Sequence, residues 1–111
     1  MVKRVLPRRG DIWIIDLEPV VGREIRKVRP CLVVSPDSMN RHLRTCTVMP
    51  LASGSREAPF RIPVRFRNKD GLLLAEQLRT ADLARMKSKV GEIDEASLKA
   101  ALGVLRDMFE E

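Results

Sequence analysis

The chain is poor in the residues that build metal and redox centres. Its 111 residues hold one histidine, His42, and two cysteines, Cys31 and Cys46. With no C-x-x-C pair and a single histidine, a zinc-type ligand set is excluded, and no cofactor is expected. Both cysteines lie inside apolar runs, which reads as two buried thiols rather than a disulfide in a reducing compartment. No stretch nears the roughly 20 apolar residues of a membrane span. The N-terminus, Met1 to Arg9, lacks the apolar run of a secretory signal, so the expected location is the cytoplasm, with no membrane partner. Repeats and low-complexity segments are absent too.

What remains is an ordinary globular composition, 44% hydrophobic and 32% charged. Its length predicts one domain, 1–111, opening on a basic arm over 1–9. The net charge of +6 is unevenly spread. Residues 1–67 carry 14 Lys and Arg against 6 Asp and Glu, whereas residues 68–111 carry 7 against 9. The basic half points to a polyanionic partner. Its densest stretch is Gly22-Arg23-Glu24-Ile25-Arg26-Lys27-Val28-Arg29-Pro30, with five charges in nine positions, four of them basic. Apolar runs flank it, so it reads as a charged loop held at both ends by buried strands.

Along the chain, Trp13, Ile15 and Leu17 alternate over a first strand, and Trp13 is assigned to core packing rather than base stacking. Pro30 marks the start of the next strand, Cys31 to Ser35, an apolar run buried on both faces. Asp37 or Ser38 is expected to cap a short helix reaching about Leu43, with His42 as a surface or capping residue. A third strand covers Thr45 to Leu51. Phe60 to Phe66 alternates apolar residues with Arg61, Pro63 and Arg65, a half-exposed strand with a basic outer face. Asn68 to Gly71 has the composition of a hairpin turn. Leu72 to Thr80 reads as one strand ending at Asp82, followed by a helical turn to Met86 and a short last strand at Val90 to Ile93. Residues 94–111 predict a helix capped by Asp94, with a stripe at Leu98, Ala101, Leu102, Leu105 and Met108 or Phe109. Short antiparallel strands and a terminal helix predict a small β-barrel with added helices.

RNA is cut without a metal when a 2′-OH attacks its own neighbouring phosphate, which requires a base, positive charge for the phosphorane, and an acid. One histidine rules out a two-histidine site, and no carboxylate cluster suits two metals. Glu24 is then the candidate base and Arg29 the phosphate clamp, since arginine grips phosphate oxygens in pairs. The bland reading stays open: Glu24 pairs with Arg23, Arg26 or Lys27 at the surface, and Arg29 is structural. Ser53 and Ser55 have no base nearby in sequence and read as turn residues.

A set of short motifs occurs in order: Arg9-Gly10-Asp11-Ile12-Trp13, Asp16-Leu17-Glu18-Pro19, Gly22-Arg23-Glu24, Val28-Arg29-Pro30 through Pro36, Asn40-Arg41, Pro50-Leu51, and Glu76 through Asp82. The set resembles the MazF/PemK family of toxin endoribonucleases. The resemblance implies an SH3-like barrel of the plasmid-maintenance toxin (PemK/MazF/CcdB-like) type with a C-terminal helix. It also implies a homodimer and metal-independent, sequence-selective cleavage of single-stranded RNA to 2′,3′-cyclic phosphate and 5′-hydroxyl ends. The implied partner is a MazE-like antitoxin with an acidic flexible tail. By the same resemblance Arg29 falls on the catalytic arginine and Glu24 on an acidic residue of the first loop. Glu76 and Gln77 fall on a strand lining the RNA groove, and the segment from Ala52 to Arg56, with Gly54, on another groove wall. Arg23 and Lys27 join these as RNA-binding residues. One departure stands out: Ala52 occupies the position where the family carries threonine. Three readings follow from it: Ser53 substitutes from the next position, the hydroxyl is dispensable, or the protein is a weakened toxin that binds RNA without cutting. A relative of the same fold that binds gyrase is the remaining alternative, against which the Arg29-Pro30 pair argues.

Overall fold

The computed structural model describes residues 6–17 and 28–111. The charged loop found in the sequence lies largely outside them, and with it Arg23, Glu24 and Lys27. Among the described residues there are seven strands, two α-helices and two 3-10 turns. The strands are β1 (Asp11–Asp16), β2 (Val28–Val33), β3 (Thr45–Ala52), β4 (Arg61–Phe66), β5 (Lys69–Leu74), β6 (Arg79–Asp82) and β7 (Met86–Glu92). Helix α1 (Asp37–Asn40) precedes β3, and α2 (Glu95–Phe109) ends the chain.

All the pairings are antiparallel, along the path β4-β5-β3-β2-β1-β7, with β6 on a separate stretch of β3. This is the expected mainly β, barrel-type fold with a C-terminal helix. The ladder itself stays open, because no pairing joins β4 to β7 among the described residues. Side chains bridge the two ends instead. Phe66, at the end of β4, lies where a Cβ on Gly91 would come within 2.8 Å of its ring. Arg67 donates from Nη2 to the Val90 carbonyl at 2.6 Å.

Strand alternation sorts the apolar residues onto two faces. One core gathers Ile12, Leu32, Val34, Met49, Leu51, Ile62, Val64 and Leu73 under Ala101 of α2. Leu98, Leu102 and Leu105 pack against it, so the helical stripe covers the sheet, while Phe109 stays 74% exposed. The Asp94 side chain accepts from the Ser97 N–H at 3.0 Å, the expected N-cap. The other core holds Trp13, Ile15, Leu17, Cys31, Val33, Cys46, Val48 and Ala81. Trp13 is thus a core residue, and both cysteines are free and buried. Burial pushes the Cys31 thiol up to about 12, partly offset by the Arg79 charge, and the Cys46 thiol up to about 11.

Several local expectations are corrected, among them the last strand, which runs from Met86 to Glu92 rather than from Val90 to Ile93. Pro30 lies inside β2, opposite Ile14, rather than at its start. It is tolerated because it sits beyond Cys31–Pro50, where the β2–β3 ladder ends, so its missing N–H breaks no bond of that ladder. The hairpin turn falls at Arg67 and Asn68, with φ of 51° and 62°, and Lys69 to Gly71 already belong to β5. Two left-handed residues match the twist of a two-residue hairpin, a geometry that Asn accepts easily and Arg less so. The stretch from Leu72 to Thr80 is not one strand: a 3-10 turn at Ala75–Gln77 separates β5 from β6. Helix α1 has no side-chain cap, because Pro36 occupies the cap position; Asp37 lies in the first turn and accepts from the Arg9 N–H at 2.7 Å.

Candidate functional site

One cavity of about 290 Å³ collects residues from all six strands of the main path or from the turns just beyond them. Ile14 comes from β1, Arg29 and Pro30 from β2, and Leu51 and Ala52 from β3, with Ser53 just beyond. Phe66 and Arg67 come from the end of β4, Lys69, Asp70 and Gly71 from β5, and Val90 from β7. The register explains why Arg29 and Ala52 meet here. Val33 pairs with Val48 and Cys31 with Pro50; two residues further along each strand lie Arg29 and Ala52. Opposed residues in an antiparallel pair face the same side of the sheet.

Ala52 is 4% exposed and packs with Leu72 and Leu74, so the position brings a methyl group rather than a hydroxyl to the cavity wall. Ser53 is exposed, lines the same cavity, and is the nearest hydroxyl in sequence to that position. Asp70 is the one acid among the described residues lining the cavity, and Arg65 holds its carboxylate at 3.0 Å. Arg29, Arg67 and Lys69 set the sign of the field, which is that of an anion site.

The other candidate residues lie nearby but elsewhere. Gly54, with φ of +76°, lines a second cavity of about 600 Å³ that shares Ala52, Asp70 and Gly71 with the first. Arg56 and Glu76 are joined through Arg61, which donates from Nε and Nη2 to Glu76 Oε2 at 3.1 and 2.6 Å. Its Nη1 donates to the Arg56 carbonyl at 2.7 Å. Arg61 thereby ties the 53–60 loop to the 3-10 turn carrying Glu76 and Gln77. Neither Glu76 nor Gln77 lines the Arg29 cavity. His42 is exposed, with Nδ1 at 2.7 Å from the Ser38 carbonyl, and takes no part. Phe66, Arg67 and Lys69 were not singled out in the sequence. The signal was present as basic residues flanking a hairpin turn, but only the ladder shows that this tip reaches the Arg29 strand.

A mainly β, antiparallel domain thus gathers a basic, strand-lined cavity. The comparisons with known proteins make this specific. The family model described as PemK-like, MazF-like toxin of type II toxin-antitoxin system matches residues 8–109. The endoribonuclease toxin MazF of Escherichia coli (strain K12) is 33% identical over 109 residues, covering 95% of this chain and 98% of that protein. Endoribonuclease EndoA of Bacillus subtilis (strain 168) is 34% identical over 97 residues, 82% and 84% of the two chains. Among solved structures, MazF from Deinococcus radiodurans superposes with a TM-score of 0.85 at 24% identity, over 95% of this chain and 97% of that one. The chain belongs to the PemK-like, MazF-like family of type II toxins.

Proposed function

We propose that this protein is a sequence-selective endoribonuclease, acting as the toxin of a type II pair and cutting single-stranded RNA without a metal. The 2′-oxygen bonds to the adjacent phosphorus, the bond to the 5′-oxygen breaks, that oxygen takes a proton from water, and the products are a 2′,3′-cyclic phosphate and a 5′-hydroxyl. The observation that carries this reading is the meeting of Arg29, the Ala52 position and Ser53 in one basic cavity, in a chain of this family. Arg29 stabilises the charge growing on the phosphorane oxygens. Glu24, which lies outside the described residues, takes the 2′-OH proton, and Ser53 supplies a hydrogen bond. Gly54 and Arg56, with Glu76 and Gln77 across the Arg61 bridge, hold the flanking RNA, together with Arg23 and Lys27.

A second copy of the chain and an antitoxin with an acidic tail complete the proposed assembly in the cytoplasm. Structures described as MazE-MazF complexes from Deinococcus radiodurans share the fold, with a TM-score of 0.76 at 21% identity in one case. No helix among the described residues is long and apolar enough to cross a membrane.

The test is cleavage of a long single-stranded RNA in EDTA, with the ends mapped. Cuts at one short motif with cyclic phosphate ends are expected; random cuts, or cuts that depend on added metal, overturn the mechanism. The methyl group at Ala52 favours one specific second reading, a toxin that binds RNA but cuts it slowly. If that is right, Ala52→Thr raises the cleavage rate by about 10²- to 10³-fold, the value of one transition-state hydrogen bond.

A further inference from the structure

We propose that the tip of the β4–β5 hairpin is a second phosphate-binding wall of the cavity. In it Lys69 and Arg67 hold the phosphate adjoining the scissile one, and Phe66, seated on Gly91, fixes the wall in place. This deepens the RNA-cleavage reading and rests on it.

Placement comes first. Arg29, Pro30 and Ser53 form one part of the cavity lining, and Phe66, Arg67 and Lys69 form another. The hairpin tip thus shares one cavity with Arg29, where the scissile phosphate is proposed to sit. Charge comes second. The acid beside them, Asp70, is held by Arg65, and no carboxylate among the described residues is ion-paired with Lys69 or Arg67. Arg67 spends one N–H on the Val90 carbonyl, and its guanidinium lies 5.6 Å from the Phe66 ring centre. That orients a charged plane and leaves other N–H groups for phosphate oxygens. Ile14, Pro30, Phe66 and Val90 supply apolar surface for the ribose or base between the two phosphates.

Rigidity comes third. The tip is clamped to β7 by a ring against a residue without a side chain, since a Cβ on Gly91 would meet Phe66 at 2.8 Å. Arg67 also keeps a left-handed backbone, with φ of 51°, that glycine or asparagine adopts more easily. The guanidinium's bond to the Val90 carbonyl ties this turn to β7.

The experiment measures binding of a fluorescent 2′-O-methyl RNA, which lacks the nucleophile, by anisotropy from about 50 to about 200 mM salt. Wild type is compared with Lys69→Gln, Arg67→Gln, the double variant, and Lys99→Gln. Lys99 is an exposed residue of α2, paired with Glu95 at 3.3 Å, and controls for net charge. Each lost phosphate contact lowers the slope of log affinity against log salt by about 0.7. The double variant is thus expected to lose about 1.4 in slope, and Lys69→Arg to retain the wild-type slope. In cleavage assays KM rises while kcat holds, because the contact lies beside the reacting phosphate. A double variant with the slope of Lys99→Gln, in a protein whose wild type binds RNA, overturns the second wall and leaves the RNA reading intact. A wild type that shows no RNA binding overturns both.

Discussion

Two clusters of charge lie on the sheet, and they differ in how they are built. At the start of the strand Asp11 is 3% exposed and fully engaged. Its carboxylate accepts from the Arg8 N–H at 2.8 Å and Trp13 Nε1 at 3.2 Å, and it pairs with Lys89 at 3.2 Å. Hydrogen bonds from Lys89 to Glu92 and Asp11 hold the lysine pKa above its ordinary value. Further along the sheet, Arg29, Arg67 and Lys69 line a cavity together with Asp70. The first cluster staples the entering chain to β7. The second is the cluster proposed above to meet RNA. Ionic residues thus mark structure where their counter-charges come from the chain itself, and function where several of one sign line a cavity.

Substitutions separate the two. Arg29→Ala is expected to lower the cleavage rate by about 10²- to 10³-fold while leaving the thermal midpoint nearly unchanged. A fall in both would place Arg29 with the structural cluster. Asp11→Ala is expected to cost about 3 kcal/mol in urea unfolding, because it leaves buried donors without their acceptor, with RNA binding by the folded fraction unchanged. If RNA affinity drops with it, the clusters are coupled. Gly91→Ala lies between them: overpacking against Phe66 should cost about 1–3 kcal/mol and weaken RNA binding together. Adding Phe66→Leu should restore stability more than binding. The smallest expected effect is in the core behind the basic cavity. The Cys31 and Cys46 thiols ionise near 9.0 in the unfolded chain and only at about 12 and 11 in the native one. The native state therefore binds more protons above pH 9, and stability falls as pH rises from there toward the native values. A urea midpoint series should show this decline, shallower in Cys31→Ala than in wild type.

Much of this architecture was legible in the residues. Period-two alternation located the strands holding Trp13 and Ile62, and Asp94 announced the terminal helix. The misreadings arose where tertiary context overrode local signals. Pro30 reads as a strand start, but its place beyond the end of a neighbouring ladder lets it sit inside β2. The apolar run through Leu74 hides a 3-10 turn, because Ala75 remains buried as the chain bends. In the site, Arg29 was visible from its neighbours in sequence. Lys69 and Arg67 were not, since what places them is a hairpin closing on β7 more than 20 residues later in the chain.

The cavity's wall list has a consequence for synthesis. Its lining begins at Ile14 and ends at Val90, and it draws on every strand of the main path. No contiguous part of the chain contains even a crude version of it. A ribosome adds residues at roughly 5–20 per second, so the segment carrying Gly91, on which the hairpin tip closes, emerges some seconds after β1. A nascent chain, or a fragment cut short before β7, therefore carries the arginine without the enclosure around it. The enclosed cavity forms only once the chain has been made through β7.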